Sequence, residues 1–225
     1  MPTIFRKFHH LYFLIPIIAY GLLYIVLSQT SLNINHDVTL FLEIGNRILD
    51  GQIPYVDFYE INFPTIQYLS AIYVLGSRVT GVNVIIVTQI MTWLLIGWST
   101  LSIYFLTRKA TDDVHLPYII PTAIIVYSTA LQIPRIGEPL FAQRGHIFLL
   151  LFMPFVMIRV QQWGIAINQE NSGLRFMYGF IAAVGVAIKP YFAIAPIMIE
   201  LYGLSQHRDW RRLLRPEIYG FMLFA

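Results

Sequence analysis

The 225-residue chain contains no cysteine, which excludes disulfides and thiolate metal sites and leaves its compartment unmarked by redox chemistry. Charge is also scarce: 12% of residues are Asp, Glu, Lys or Arg against 57% hydrophobic, and the mean hydropathy is +0.63. That leaves too little polar surface to coat a soluble globule of this size. No glycine-rich phosphate loop, zinc-type helix motif or serine nucleophile elbow occurs, so soluble-nucleotide and hydrolase chemistry has no positive support. The net charge of +3 is small, and the basic residues stand in short clusters beside apolar runs. A nucleic-acid surface would show a continuous basic stripe, so nucleic acid is not expected as a partner.

What the chain has is apolar runs, separated by short polar stretches, of about the length that crosses ~30 Å of hydrocarbon. The expected fold is all-α: a polytopic transmembrane helical bundle forming one domain over 1–225, with membrane lipid as its solvent. Arg6, Lys7, His9 and His10 precede the first run, 11–28, and place the N-terminus in the cytoplasm by the positive-inside rule. No small-x-small cleavage site follows Ser28, so an anchor is read in preference to a signal peptide. Arg108-Lys109 closes the run 83–106 on the cytoplasmic side, which makes 29–82 an external loop. Within that loop 37–50 and 63–76 are expected as interfacial helices, the second being marginal for a crossing.

Further crossings are expected at about 116–133 and 146–159. The apolar stretch 176–204 is too long for one crossing, and Lys189-Pro190 interrupts it. Proline breaks the helical ladder and a lysine is costly in lipid, so a hairpin of 176–188 and 191–204 with Lys189 at an external tip fits, with one long tilted helix as the alternative. Another span starts at 218, which suggests the N-terminal portion of a larger protein. The expected location is therefore the inner or plasma membrane, as a multi-pass protein.

The chemistry-bearing residues gather in the expected external segments. Val38, Phe41, Leu42, Gly45, Ile48 and Leu49 follow helical spacing, while Thr39, Glu43, Asn46, Arg47 and Asp50 lie elsewhere, so 37–50 reads as an amphipathic helix resting on the membrane surface. Asn35 to Asp37 supplies N-cap candidates, which makes capping the plain structural reading of Asp37, and Gly51 is the expected stop. An aromatic and acidic turn, GQIPYVDFYEINFP, follows from Gly51 to Pro64.

An acidic residue soon after the first span, an amphipathic helix, this turn and a membrane-dipping helix together resemble the first external loop of the GT-C glycosyltransferases. That superfamily includes protein O-mannosyltransferases and lipid A aminoarabinose transferases, and its members use polyprenyl-phosphate-linked sugars. The segments GEPLFAQRGHIFLLLFMPF and GVAIKPYFAIAPI are similar to a loop with its following helix and to a lysine-bearing hairpin in bacterial members. One departure is Phe63-Pro64, where a double proline is common. The resemblance implies that Asp37 is the general base, that the donor is a polyprenyl-phosphate sugar, and that the acceptor is a glycan, lipid or protein on the non-cytoplasmic face.

Departure of a polyprenyl phosphate calls for cations in a partly dry site, and Arg144 and Lys189 are the external candidates. Arginine grips phosphate bidentately and lysine acts as a point charge. An ordinary helix-end anchor explains Arg144 equally well, whereas a lysine within an apolar run reads as functional. Glu138 binds an acceptor or a divalent metal, or pairs with Arg135 or Arg144, and pairing is favoured. Asp57 and Glu60 join Asp37 around the sugar or serve only the turn. A lone His146 with scattered carboxylates is weak evidence for a metal, so no metal ligand is assigned and no cofactor is required, with a divalent cation left open. Two other classes compete: a transporter or lipid flippase using Lys189 in a broken hairpin, which predicts an internal repeat that is not seen, and a non-catalytic membrane scaffold.

Overall fold

The computed structural model describes residues 34–110, 116–131, 140–164, 171–207 and 210–224, so the run 11–28 lies outside the described residues. Among the described residues the regular structure is helical, apart from one isolated bridge between Pro54 and Phe58. Eight α-helices follow in order: α1 His36–Leu49, α2 Pro64–Thr80, α3 Val84–Ala110, α4 Leu116–Ala130, α5 Arg144–Gly164, α6 Ser172–Val186, α7 Ile194–His207 and α8 Pro216–Phe224. Short 3-10 turns lie at Pro190–Ala193 and Trp210–Leu214. Among the described residues two segments, Val84–Arg108 and Arg144–Gln161, are long and apolar enough to cross a membrane.

The helices start and stop for local reasons. Asn35 caps α1 through its side-chain oxygen, which accepts the Asp37 N–H at 2.8 Å. Asp37 is therefore not the cap, and its carboxylate is left for other use. Gly51 follows the helix with φ +89°, a left-handed backbone that its missing Cβ permits. Pro64 opens α2 at a position where its absent N–H costs nothing, and the helix runs on to Thr80 rather than stopping near Gly76. Similarly, α6 begins at Ser172, capped by the Asn171 side chain, four residues before the apolar run does. Hydropathy marks an apolar slab, whereas capping and hydrogen bonding carry helices past its edges.

The stretch 176–204 is two helices rather than one. α6 ends at Val186, Lys189 takes an extended backbone (φ −146°, ψ 128°) as the residue before a proline should, and the Pro190–Ala193 turn leads into α7.

Packing turns the apolar face of α1 onto the rest of the protein. Val38, Phe41, Leu42, Ile44 and Gly45 are buried, and Phe41 and Ile44 share a cluster with Ile66 of α2, Ile147 and Leu151 of α5, and Ile188. The apolar face expected to rest on the membrane surface is thus covered by protein. A Cβ at Gly45 would stand 2.7 Å from the Ala71 nitrogen, so glycine here sets how closely α1 approaches α2. At the far end of α5, Arg159 joins Glu200 of α7 and Glu217 of α8, and Arg175 of α6 also reaches Glu217. The four helices α5 to α8 are tied there by two cations and two anions.

Candidate functional site

The opposite end of α5 carries the polar cluster that involves Asp37. Arg144 is the first residue of α5, and its Nη2 donates to Asp37 Oδ2 in the first turn of α1 at 3.0 Å, joining residues 107 positions apart. Its Nη1 donates to the side-chain oxygen of Asn62, and the guanidinium lies 5.0 Å from the centre of the Phe41 ring. The Arg144 side chain is 17% exposed and that of Asp37 is 45% exposed. The arginine is therefore fixed among partners, while the carboxylate sits half in solvent.

The segment before α5 aims the arginine. The Ala142 N–H donates to His146 Nδ1 at 3.2 Å, so the neutral ring carries its proton on Nε2 and gives it to Ser128 Oγ of α4 at 2.9 Å. Ala142 has φ +60°, a left-handed backbone held here by that hydrogen bond and by burial. His146 is thus a fastening for the chain that leads into Arg144.

The turn between α1 and α2 supplies the other support. Glu60 Oε1 accepts from both the Asn62 backbone N–H (2.9 Å) and its side-chain Nδ2 (2.6 Å), which orients the amide oxygen toward Arg144. The Asn62 carbonyl accepts from Tyr55 Oη and from Gln67 Nε2, the latter at 2.9 Å. Asp57 Oδ2 accepts the Ile53 N–H at 2.7 Å and so closes the turn.

The sequence-derived candidates therefore divide. Asp37 and Arg144 are in direct contact, Glu60 reaches the pair through Asn62, and Asp57 shapes the turn. Lys189 donates to Tyr191 Oη at 2.6 Å with its ammonium 5.1 Å from that ring's centre, and it makes no contact with Asp37 or Arg144. It stands at the same end of the helices, since its neighbour Ile188 packs in the cluster of Phe41 and Ile147. Glu138 lies outside the described residues. Among the described residues no group of three His, Asp or Glu side chains gathers as a metal site.

Asp37 and Arg144 line a pocket with Phe41, Ser70 and Tyr73 that offers about 10 Å³, near the threshold for one water molecule. Against it, between α2, α3 and α5, runs an apolar groove of about 290 Å³ whose walls include Met91, Leu94, Trp98 and Leu151. Tyr73 and Ile147 line both spaces. A polar pocket of water size and an apolar groove thus lie side by side.

No family model, curated protein or solved structure matches the chain. The likeness to GT-C enzymes accordingly rests on the residues quoted above. Two features escaped the sequence reading. Asn62 is a lone amide in an acidic turn, with no pattern to single it out. Glu200 and Glu217 went unassigned, although a carboxylate within or beside an apolar run is the signal that should have prompted a search for its cation.

Proposed function

We propose that this chain is a membrane glycosyltransferase of the GT-C kind, moving a sugar from a polyprenyl phosphate to an acceptor on the non-cytoplasmic face. The observation that carries this reading is the contact between Asp37 and Arg144 beside an apolar groove that shares two of its walls. In the proposed reaction the acceptor hydroxyl oxygen attacks the anomeric carbon, its proton passes to the Asp37 carboxylate, and the bond from that carbon to the phosphate oxygen breaks. The bonding pair leaves with the phosphate, whose charge Arg144 faces. Lys189 enters only as a second cation at the same end.

Several features support the membrane setting. α3 exposes Ile86, Ile90, Leu94, Leu101 and Phe105, and α7 exposes Ile194, Ile197, Met198, Leu201 and Tyr202. Stripes of this kind are unusual against water and ordinary against lipid. They fit a multi-pass bundle.

The test is release of polyprenyl phosphate from a panel of hexosyl and pentosyl donors by the protein in liposomes. Asp37→Asn should lower turnover by about 10²- to 10⁴-fold, the range for losing a general base. Undiminished release in that variant would remove Asp37 from the chemistry.

A further inference from the structure

We infer that Asp37 and Asn62 occupy the phosphate-binding fork of Arg144 as internal stand-ins, and that the phosphate group of an incoming phosphate ester displaces Asp37 and so frees the carboxylate. This inference rests on the reading of Arg144 as the phosphate-holding residue and adds how that site is kept closed. Both terminal nitrogens of the guanidinium are already engaged, one by the Asp37 carboxylate and the other by the Asn62 amide oxygen. Two oxygens on one planar fork reproduce the way a phosphate would be held bidentately. With them in place the adjoining pocket has about 10 Å³, too little for a phosphate group. One stand-in must leave before a ligand can take both nitrogens.

The surroundings decide which one leaves. Asn62 is anchored by Glu60 at its backbone and side-chain nitrogens, and by Tyr55 and Gln67 at its carbonyl. Among the described residues the Asp37 carboxylate is held by Arg144 alone, and it is 45% exposed. With one partner this open to solvent, the ion pair contributes only modest net stability. Rotation of Asp37 toward solvent uncovers Nη2, leaves Asn62 on Nη1, and puts a free carboxylate beside the newly bound phosphate. A general base that is unmasked only when the donor's phosphate is present has no opportunity to act on an empty site. The adjoining apolar groove favours a phosphate carried on a hydrocarbon chain, but the exchange itself requires only the phosphate.

The experiment measures binding rather than transfer. Purified protein in lipid nanodiscs is titrated with a short isoprenyl monophosphate and, separately, with inorganic phosphate. Removing the competitor by Asp37→Ala should tighten binding by about two- to fivefold, matching the small net worth of an exposed pair, while Arg144→Gln should abolish it. Asp37→Glu keeps a competing carboxylate and should show no gain. If the alanine variant fails to fold, the near-isosteric Asp37→Asn takes its place. Gain for the isoprenyl probe alone assigns the site to a lipid headgroup, and gain for both assigns it to phosphate itself; either supports the exchange. Unchanged or weaker binding in folded Asp37→Ala or Asp37→Asn overturns it. Phosphate exchange without any sugar transfer would sink the glycosyltransferase reading alone, whereas transfer by the wild type without gain in the variants would sink this inference alone.

Discussion

Asn62 links the acidic turn to the arginine of α5. Its side-chain oxygen receives Arg144, its two nitrogens give to Glu60, and its carbonyl takes Tyr55 and Gln67. Only the side-chain contacts depend on residue type, because the backbone groups survive substitution. Replacing Asn62 by leucine, of similar size, therefore strips Arg144 of one acceptor and Glu60 of one donor while leaving the Tyr55 and Gln67 bonds. These groups are only partly buried, so the expected loss is about 0.5–1.5 kcal/mol, the net worth of a typical hydrogen bond, read as a lower unfolding midpoint in detergent. An Asn62→Leu protein as stable as the wild type would show that the turn is held by its backbone contacts alone. No sequence pattern announces this residue, because its partners lie two and 82 positions away and meaning comes only from their convergence.

At the scale of helices, the ionic cluster at the far end of α5 decides how α5 to α8 sit together. Arg159 is 2% exposed and Glu217 fully buried, with 2.8 Å between Nη1 and Oε1, and Arg175 approaches the other Glu217 oxygen at 2.6 Å. Beside them α6 and α8 touch backbone to backbone: a Cβ at Gly179 would lie 1.8 Å from the Glu217 carbonyl oxygen. Small residues permit this approach, as they do where helices meet in lipid. Removing one member of a buried pair leaves an uncompensated charge, so Arg159→Met should cost about 3–5 kcal/mol. Deleting Glu200 as well, in Arg159→Met with Glu200→Leu, should recover part of that loss, since Glu217 keeps Arg175. The check is a double-mutant cycle of unfolding in detergent; additive losses would mean that Arg159 and Glu200 are not coupled.

How much of this was readable in the sequence follows from which physics each feature uses. Apolar periodicity located the buried face of α1, and Lys189-Pro190 marked the break between α6 and α7, because both are local effects. Arg159 and Arg175 stand at the edges of apolar runs, where the positive-inside rule weighs a cation by position and takes no account of a carboxylate some 40 or more residues later. Asp37 and Arg144 were named separately as base and phosphate cation, but their pairing is tertiary and had no sequence signal. The covered apolar face of α1 was missed for the same reason: amphipathicity says that a face is buried, and only packing says against what.

For the whole molecule, the two polar clusters mark opposite ends of one apolar body. Arg144 and Arg159 stand fifteen residues apart on α5, roughly 22 Å at 1.5 Å per residue, a large part of the ~30 Å hydrocarbon thickness. α6 runs from the Arg175 cluster toward the Lys189 turn, and Leu106 of α3 packs with Ile158 and Tyr178 near the Arg159 end. Under the proposed orientation the Asp37–Arg144 end faces outward and the Arg159–Glu217 end faces the cytoplasm. Because the chain has no cysteine, single cysteines can be labelled from outside intact cells with no background from the protein itself. Cysteine at exposed Tyr59 or Tyr191 should react with a membrane-impermeant maleimide, whereas cysteine at exposed Arg108 or Ser172 should react only after the membrane is permeabilised. Reaction of all four in intact cells would mean that the apolar stripes on α3 and α7 face something other than lipid. Labelling at Tyr59 with protection at Tyr191 would place the α6–α7 turn on the other side and take Lys189 out of the site, leaving Arg144 as the only one of the two proposed cations on the Asp37 face.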